Sequence, residues 1–125
     1  MSEQNGAKKV ALTAAATTAG GDALSLANPE GADLIVTKLI LDITTEATGA
    51  ATVDAGIAAN GTTSADNLID GADVGSAADV IDNIDNQGTN GKASQKWGSS
   101  QYLTITPSAT LAGLVGYAYI EYIRV

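Results

Sequence analysis

A chain of 125 residues with a net charge of −8 and no cysteine is long enough for one domain with a buried core, and it has no disulfide framework. No lysine or arginine occurs between Leu39 and Gly91, so the middle of the chain is acidic. This distribution argues against nucleic acid and membrane surfaces as partners, because both attract clustered lysine and arginine.

The apolar residues are mostly small. Phenylalanine is absent, and the chain has one tryptophan and four tyrosines, so leucine, isoleucine and valine must form most of the core. Small side chains each remove little apolar surface from water. A thin core of this kind favours a protein that gains further burial from its own copies or from a larger partner.

The N-terminal residues 1–7 are polar and without periodicity, which predicts a flexible arm before a single domain over residues 8–125. The start of the chain lacks an apolar signal-peptide stretch, and no run of about 18 apolar residues follows, so we expect a soluble product made in the cytoplasm. Alternation begins at Val10, and a Gly-Gly-Asp turn before residues 23–27 predicts a first hairpin.

A long strand is predicted over residues 34–45, after the Asn-Pro-Glu-Gly turn. Beyond Thr37 the odd-numbered positions form the better core face, which places Lys38 and Asp42 on the solvent side. Alternation resumes over residues 51–57, and this segment is predicted to be the hairpin partner of the long strand.

Residues 65–86 form a long acidic excursion that glycines interrupt. Two short apolar pairs, residues 68–69 and residues 80–81, predict either short strands or one helical turn capped by Asp79. Six aspartates in this segment could bind calcium, which favours several oxygen ligands. Their spacing does not match the EF-hand register, so a solvated acidic loop is the preferred interpretation. These aspartates are Asp66, Asp70, Asp73, Asp79, Asp82 and Asp85.

Short strands are predicted over residues 92–97 and 101–106, and the clearest strand closes the chain at residues 114–125. Both faces of the last segment are apolar, which predicts a central or covered strand. Seven to nine short strands with regular turn signals predict an all-β protein, an antiparallel β-sandwich with jelly-roll topology as the leading arrangement.

Catalytic chemistry is not expected. Histidine and cysteine are both absent, which removes the common nucleophilic triads and the zinc sites built on those ligands. No phosphate-binding glycine loop occurs in the sequence. Catalysis by paired carboxylates, as in glycoside hydrolysis, normally takes place in a cleft lined by aromatic residues, and this chain has only five of them. We therefore expect no enzyme activity, no cofactor and no metal.

The aromatic residues are the candidate interface residues: Trp97, Tyr102, Tyr117, Tyr119 and Tyr122. Trp97 fits either a stacking platform for sugar or peptide or, more commonly, a plug in a core or interface. Tyr117 and Tyr119 share one face of the last strand with Val115, whereas Tyr122 lies on the other, so at least one tyrosine is expected to meet another subunit.

Four segments carry a family resemblance: residues 67–71 (NLIDG), 88–92 (GTNGK), 96–97 (KW) and 113–122 (GLVGYAYIEY). From about Val10 to the end, the chain resembles small proteins encoded near the capsid genes of tailed phages, and it is similar to head decoration (cement) proteins. The resemblance implies a β-sandwich on the exterior of the virion capsid, bound to the major capsid protein and commonly a homotrimer. Two alternatives remain: a virion-surface carbohydrate- or host-binding module using Trp97 or Tyr102, and a tail-associated structural subunit.

Overall fold

The computed structural model describes residues 4–125, and within that range the chain forms nine β-strands and no helix. The strands are β1 Asn5–Ala11, β2 Leu24–Ala27, β3 Leu34–Thr45, β4 Thr52–Ala58, β5 Ile69–Asp73, β6 Asp79–Asp82, β7 Gln95–Trp97, β8 Tyr102–Pro107 and β9 Val115–Arg124. The described part of the chain therefore offers no helix that could cross a membrane.

The strands form two antiparallel sheets. One sheet has the order β1-β9-β3-β6, and β7 pairs with the same edge of β3 as β6 does, nearer the start of β3. The other has the order β2-β8-β4-β5. Apolar side chains from both sheets form one core, which confirms the predicted all-β antiparallel sandwich.

The pairing of the strands is nested, as in a long hairpin that has been rolled up. β1 pairs with β9, β2 with β8, β3 with β6 and β4 with β5, while the contacts β3 with β9 and β4 with β8 join neighbouring layers of the roll. This is the jelly-roll topology that the sequence predicted, with β7 as an additional short strand.

The longest strand, β3, changes its buried face part-way along. Val36 and Leu39 are three positions apart, so in a regular strand they would point to opposite faces, yet both are fully buried. The register against β9 shifts between Val36 and Lys38. An extra residue in one strand has this effect because side chains alternate with a period of two. The predicted change of face after Thr37 is confirmed, and Lys38 lies on the outer side, half-buried.

The C-terminal strand, β9, lies between β1 and β3, which confirms its predicted central position. Ala118 and Ile120 point into the core and are fully buried. Tyr117 and Tyr119 point to the outer side of the sheet and remain half-buried.

Both predicted hairpins are wrong. The segment around Val10 belongs to β1 in the five-stranded sheet, whereas β2 pairs with β8 in the four-stranded sheet. β4 likewise lies in the other sheet from β3 and pairs with β5 and β8. In each case the intervening chain crosses from one sheet to the other instead of turning back in the same plane, as a rolled topology requires.

The predicted flexible arm over residues 1–7 differs from the structure where the structure describes it. Residues 1–3 lie outside the described range, and Asn5 to Ala7 belong to β1, paired with Ile123 to Glu121 of β9. Backbone hydrogen bonding explains the difference, because pairing with a neighbouring strand needs no apolar side chain. A polar segment can therefore be an ordered edge strand.

The acidic excursion was predicted to contain either short strands or one helical turn, and the structure shows short strands there. Residues 80–81 lie in β6, and one hydrogen-bonded turn follows, in which the Asn86 N–H donates to the Asp82 carbonyl at 3.0 Å. Asp82, and not Asp79, caps this turn through the N–H groups of Ile84 and Asp85, both at 2.8 Å. The fully buried Asn83 then fastens the loop to β3 by accepting the Leu39 N–H at 2.9 Å.

Candidate interaction surface

The outer side of the four-stranded sheet is covered by the protein's own loops. The Thr104 hydroxyl of β8 is fully buried and donates to the Thr63 carbonyl at 2.9 Å. The Gly21 N–H donates to the Thr106 hydroxyl at 3.0 Å, and the Asn67 amide exchanges two hydrogen bonds with the Ile57 backbone of β4. Loops from two parts of the chain thus occupy this side of the sandwich.

The outer side of the five-stranded sheet differs, because within residues 4–125 every one of its outward side chains is half-buried or exposed. We call this surface the open face. It consists of Asn5, Ala7, Lys9, Ala11, Ile35, Lys38, Ile40, Asp42, Val80, Asp82, Lys96, Val115, Tyr117, Tyr119, Glu121 and Ile123. Val80 is 62% exposed and Val115 is 49% exposed, which is unusual for large apolar side chains gathered on one surface.

A ridge of stacked side chains stands near the centre of the open face. The Lys9 ammonium lies 4.6 Å from the ring centroid of Tyr117 and 5.6 Å from that of Tyr119. A cation held over aromatic rings is attracted to their faces, so the three side chains support one another. The ridge consists of two half-buried aromatic rings and one exposed positive charge.

A hollow of about 460 Å³ lies beside the ridge, in the direction of the β9 C-terminus. Small residues of β1 and the irregular part of β3 make room for it, and the Thr37 hydroxyl donates to the Glu121 carbonyl at 3.3 Å. The lining residues are Asn5, Gly6, Ala7, Thr37, Glu121, Tyr122 and Ile123. The open face therefore has a protrusion and a depression along the same strands.

Charge is distributed unequally between the two sheets. Five of the six cationic residues belong to strands of the five-stranded sheet, namely Lys8, Lys9, Lys38, Lys96 and Arg124. On the open face three lysines balance three carboxylates, whereas the charged residues in the strands of the four-stranded sheet are all aspartates. In a chain of net charge −8, the open face is the neutral surface.

A cluster around Glu30 fastens the end of the open face. The Glu30 carboxylate accepts hydrogen bonds from Arg124 Nε at 2.9 Å, Arg124 Nη2 at 3.1 Å and the Tyr122 hydroxyl at 2.9 Å. Arg124 also donates from Nη1 to the Asn5 carbonyl at 2.8 Å. These hydrogen bonds, Arg124 first, lower the pKa of Glu30 to about 2. The cluster ties the β2–β3 loop to the ends of β1 and β9.

The aspartates of the acidic segment accept hydrogen bonds from nearby backbone and side-chain groups. Asp73 accepts the N–H groups of Gly75 and Ser76 and the Ser76 hydroxyl, and these bonds lower the pKa of Asp73. Asp54, by contrast, is half-buried, and its burial raises its pKa. Among residues 4–125 no group of three or more histidine, cysteine or acidic residues is arranged to hold a metal ion.

Comparison with known proteins places the fold in context. No family model matches the sequence, and no curated protein matches it. Among solved structures, a chain in "Acidic stable capsid structure of Helicobacter pylori bacteriophage KHP30" is similar with a TM-score of 0.59 at 14% sequence identity. The similarity covers 97% of this chain and 88% of that one. This jelly roll shares its fold with a chain from a phage capsid.

The five predicted interface residues separate into three groups in this fold. Trp97 and Tyr122 lie in the core at 0% and 2% exposure, and the Trp97 indole N–H donates to the Gln101 carbonyl at 3.0 Å. Tyr102 is half-buried on the covered side, next to Gly61. Tyr117 and Tyr119 belong to the open face and form its ridge with Lys9.

Several residues of the open face were not identified as interface residues from the sequence. Val80 and Ile40 join the tyrosines only because β3, β6 and β9 are neighbours in the sheet. One signal was present, since Val115 was assigned to the same face of the last strand as Tyr117 and Tyr119. The contribution of β6 comes from a pairing between segments about forty residues apart in the chain.

Proposed function

We propose that this protein is a structural component of a phage virion that binds the outer surface of the capsid and stabilises it, as a decoration or cement protein. One observation carries the proposal: the fold follows a chain of a phage capsid structure over 97% of its length. The segments that resemble head decoration proteins point to the same role, although fold alone does not determine function.

Binding without catalysis is the mode of action that we propose. The chain has no histidine or cysteine to act as a base or nucleophile. Within residues 4–125 the open face is a large uncovered surface that combines apolar side chains with three lysines and three carboxylates, and this composition fits a protein-binding surface. The carbohydrate-binding alternative rested on Trp97 and Tyr102, and the burial of Trp97 gives it no support.

Stabilisation of the capsid would follow from mass action. A ligand that binds only the assembled shell lowers the free energy of the shell by RT ln(1 + [L]/Kd) per site, about 2.7 kcal/mol at a hundredfold excess over Kd. A shell with many equivalent sites gains this amount at each site. Weak contacts of a small protein are therefore sufficient to protect a large assembly.

The major capsid protein is the proposed partner on the shell. The acidic excursion of this chain, which includes the exposed Asp73 and Asp85, would meet basic patches there. Attraction between opposite surface charges increases the rate of association and weakens as salt screens it. Binding to the capsid is therefore expected to weaken as the salt concentration rises.

A binding experiment tests the proposal. Capsids of the phage that encodes this chain, prepared without it, are mixed with the purified protein, and the bound fraction is measured by co-sedimentation while the shell's Tm is measured by scanning calorimetry. We expect saturable binding to the expanded shell and a higher Tm at saturation. Failure to bind any form of the capsid, or binding that leaves the Tm unchanged, would contradict the proposal.

A further inference from the structure

The open face has features that match one another when two copies meet. The ridge of Lys9, Tyr117 and Tyr119 protrudes, and the hollow bounded by Ala7 and Glu121 lies one step further along the same strands. The ridge carries a positive charge and the rim of the hollow carries a negative one. Complementary features on one surface are what a two-fold interface requires, because each contact then occurs twice.

The strand register defines the symmetry that would bring these features together. A two-fold axis in the plane of the interface, crossing β9 between Tyr119 and Glu121, places Tyr119 of one copy opposite Glu121 of the other and Tyr117 opposite Ile123. Because Lys9 pairs with Tyr119 and Ala7 pairs with Glu121 within the sheet, the same axis places Lys9 over Ala7. The ridge of each copy then meets the hollow of the other.

We propose that the open face binds a second copy of this chain, forming a two-fold dimer in which the two five-stranded sheets pack face to face. The Lys9 ammonium of each copy lies near the Glu121 carboxylate of the other. Tyr117, Tyr119 and Ile123 form the apolar centre of the interface.

Charge favours a second copy as the occupant of this face. The chain has a net charge of −8, so two copies repel each other when their acidic sides approach. The open face carries three lysines and three carboxylates, and it is the side on which close approach is least opposed. Opposite charges across the two-fold axis then fix the register of the pair.

The size of the open face is also sufficient. Four strands at a spacing of about 4.8 Å span roughly 19 Å, and a ten-residue strand such as β9 is about 33 Å long. The projected area is on the order of 600 Å² per copy before side-chain relief is added, against about 800 Å² per partner in a standard interface. A face-to-face pair is thus within the range of stable complexes.

This inference departs from the trimer that the family resemblance implies, and it does not depend on capsid binding. Sedimentation equilibrium of the purified full-length chain tests it, with a dimer expected at twice the 12.5 kDa mass of one chain. A monomer at all accessible concentrations, or a trimer, would overturn it. An open face that instead contacts only the capsid would also be detected here as a monomer.

Charge variants test the position of the interface. Glu121→Lys and Lys9→Glu each place like charges across the proposed two-fold axis, so each is expected to raise the dimer Kd about tenfold or more. The double variant should recover part of that loss, because it restores opposite charges across the axis but not the contact of Lys9 with the Tyr117 and Tyr119 rings. Asp66→Lys makes the same charge change in a loop outside the five-stranded sheet and should leave the Kd unchanged. A Kd that responds equally to Asp66→Lys and Glu121→Lys contradicts the proposed interface.

A further variant of the open face, at the exposed Val80, keeps the test valid if the charge variants fail to fold. Val80 is 62% exposed, and the two-fold axis brings it opposite Lys96 of the other copy, because β6 and β7 share one edge of β3. Val80→Lys is therefore expected to leave the Tm of the monomeric form unchanged, because the side chain is exposed, and to raise the dimer Kd. A dimer of unchanged Kd in this variant and in Glu121→Lys would overturn the inference.

Discussion

At the scale of single residues, the protonation of the Glu30 carboxylate affects contacts between three segments of the fold. It binds Arg124 through both oxygens and accepts a hydrogen bond from Tyr122, and its pKa is lowered to about 2 from an ordinary value of 4.5. A carboxyl whose pKa is lower in the folded than in the unfolded chain stabilises the fold above its unfolded pKa. That contribution is lost as the pH falls from about 4.5 through about 2.

Glu30→Gln is therefore expected to lower the Tm at pH 7, because the ion pair with Arg124 is lost and the acceptor for Tyr122 becomes weaker. The difference in Tm between wild type and variant should shrink below pH 4.5 and nearly disappear by about pH 2, where the wild-type carboxyl is half-protonated. Thermal unfolding followed by circular dichroism from pH 2 to pH 8 measures this. Glu46→Gln, at an exposed carboxylate after β3, is the control and should show little difference at any pH. A Glu30→Gln effect of equal size at pH 2 and pH 7 would contradict the role assigned to the ion pair.

At the scale of elements, β1 shows what a sequence pattern cannot identify. Its first three residues, 5–7, lie in the segment that the sequence predicted to be a flexible arm, whereas the structure pairs them with β9. β3 and β9 were predicted because their side chains carry the alternation and both bury one full face. The difference is physical, since residues 5–7 are bound through backbone pairing with β9 and bury no large apolar side chain.

Gly6 provides a test of whether β1 is docked as described. A Cβ at this position would lie 2.5 Å from Cε1 of the buried Tyr122 ring, so the strand or the ring would have to move. Overpacking of this kind costs about 1–3 kcal/mol. Gly6→Ala is expected to lower the free energy of unfolding by that amount in urea denaturation. Gly49→Ala meets nothing within 4 Å and serves as the matched control. Equal stability of the two variants would show that β1 does not pack on Tyr122 as the structure has it.

At the scale of the whole molecule, the sheet partners could not be predicted from local signals. β1 and β9 meet across more than one hundred residues, and turn residues between neighbouring segments do not record such pairings. The predicted hairpins were wrong for this reason, although most of the strands themselves were predicted. Both sheets of a jelly roll contain strands from distant parts of the chain. The alternation of apolar and polar residues therefore predicts which side chains are buried, but it does not predict which strands pair with one another.

The open face has the same origin. Tyr117 and Tyr119 were predicted as interface residues from one strand, and the structure adds Lys9, Val80 and Ile40 from three others. Trp97 lies in the core because β7 pairs with the start of β3, a contact that its neighbours Lys96 and Gly98 do not indicate. Aromatic content alone therefore identified part of the surface and included residues that belong to the core.

Direct imaging of the virion tests the central proposal, that this jelly roll is attached to the exterior of a phage capsid. Cryo-electron microscopy of virions of the phage that encodes the chain, compared with virions of a deletion mutant, would locate it. We expect density that fits the two-sheet sandwich at repeated lattice positions on the outside of the shell, and its loss in the mutant. Identical shells in the two samples, or density confined to the tail, would contradict the account.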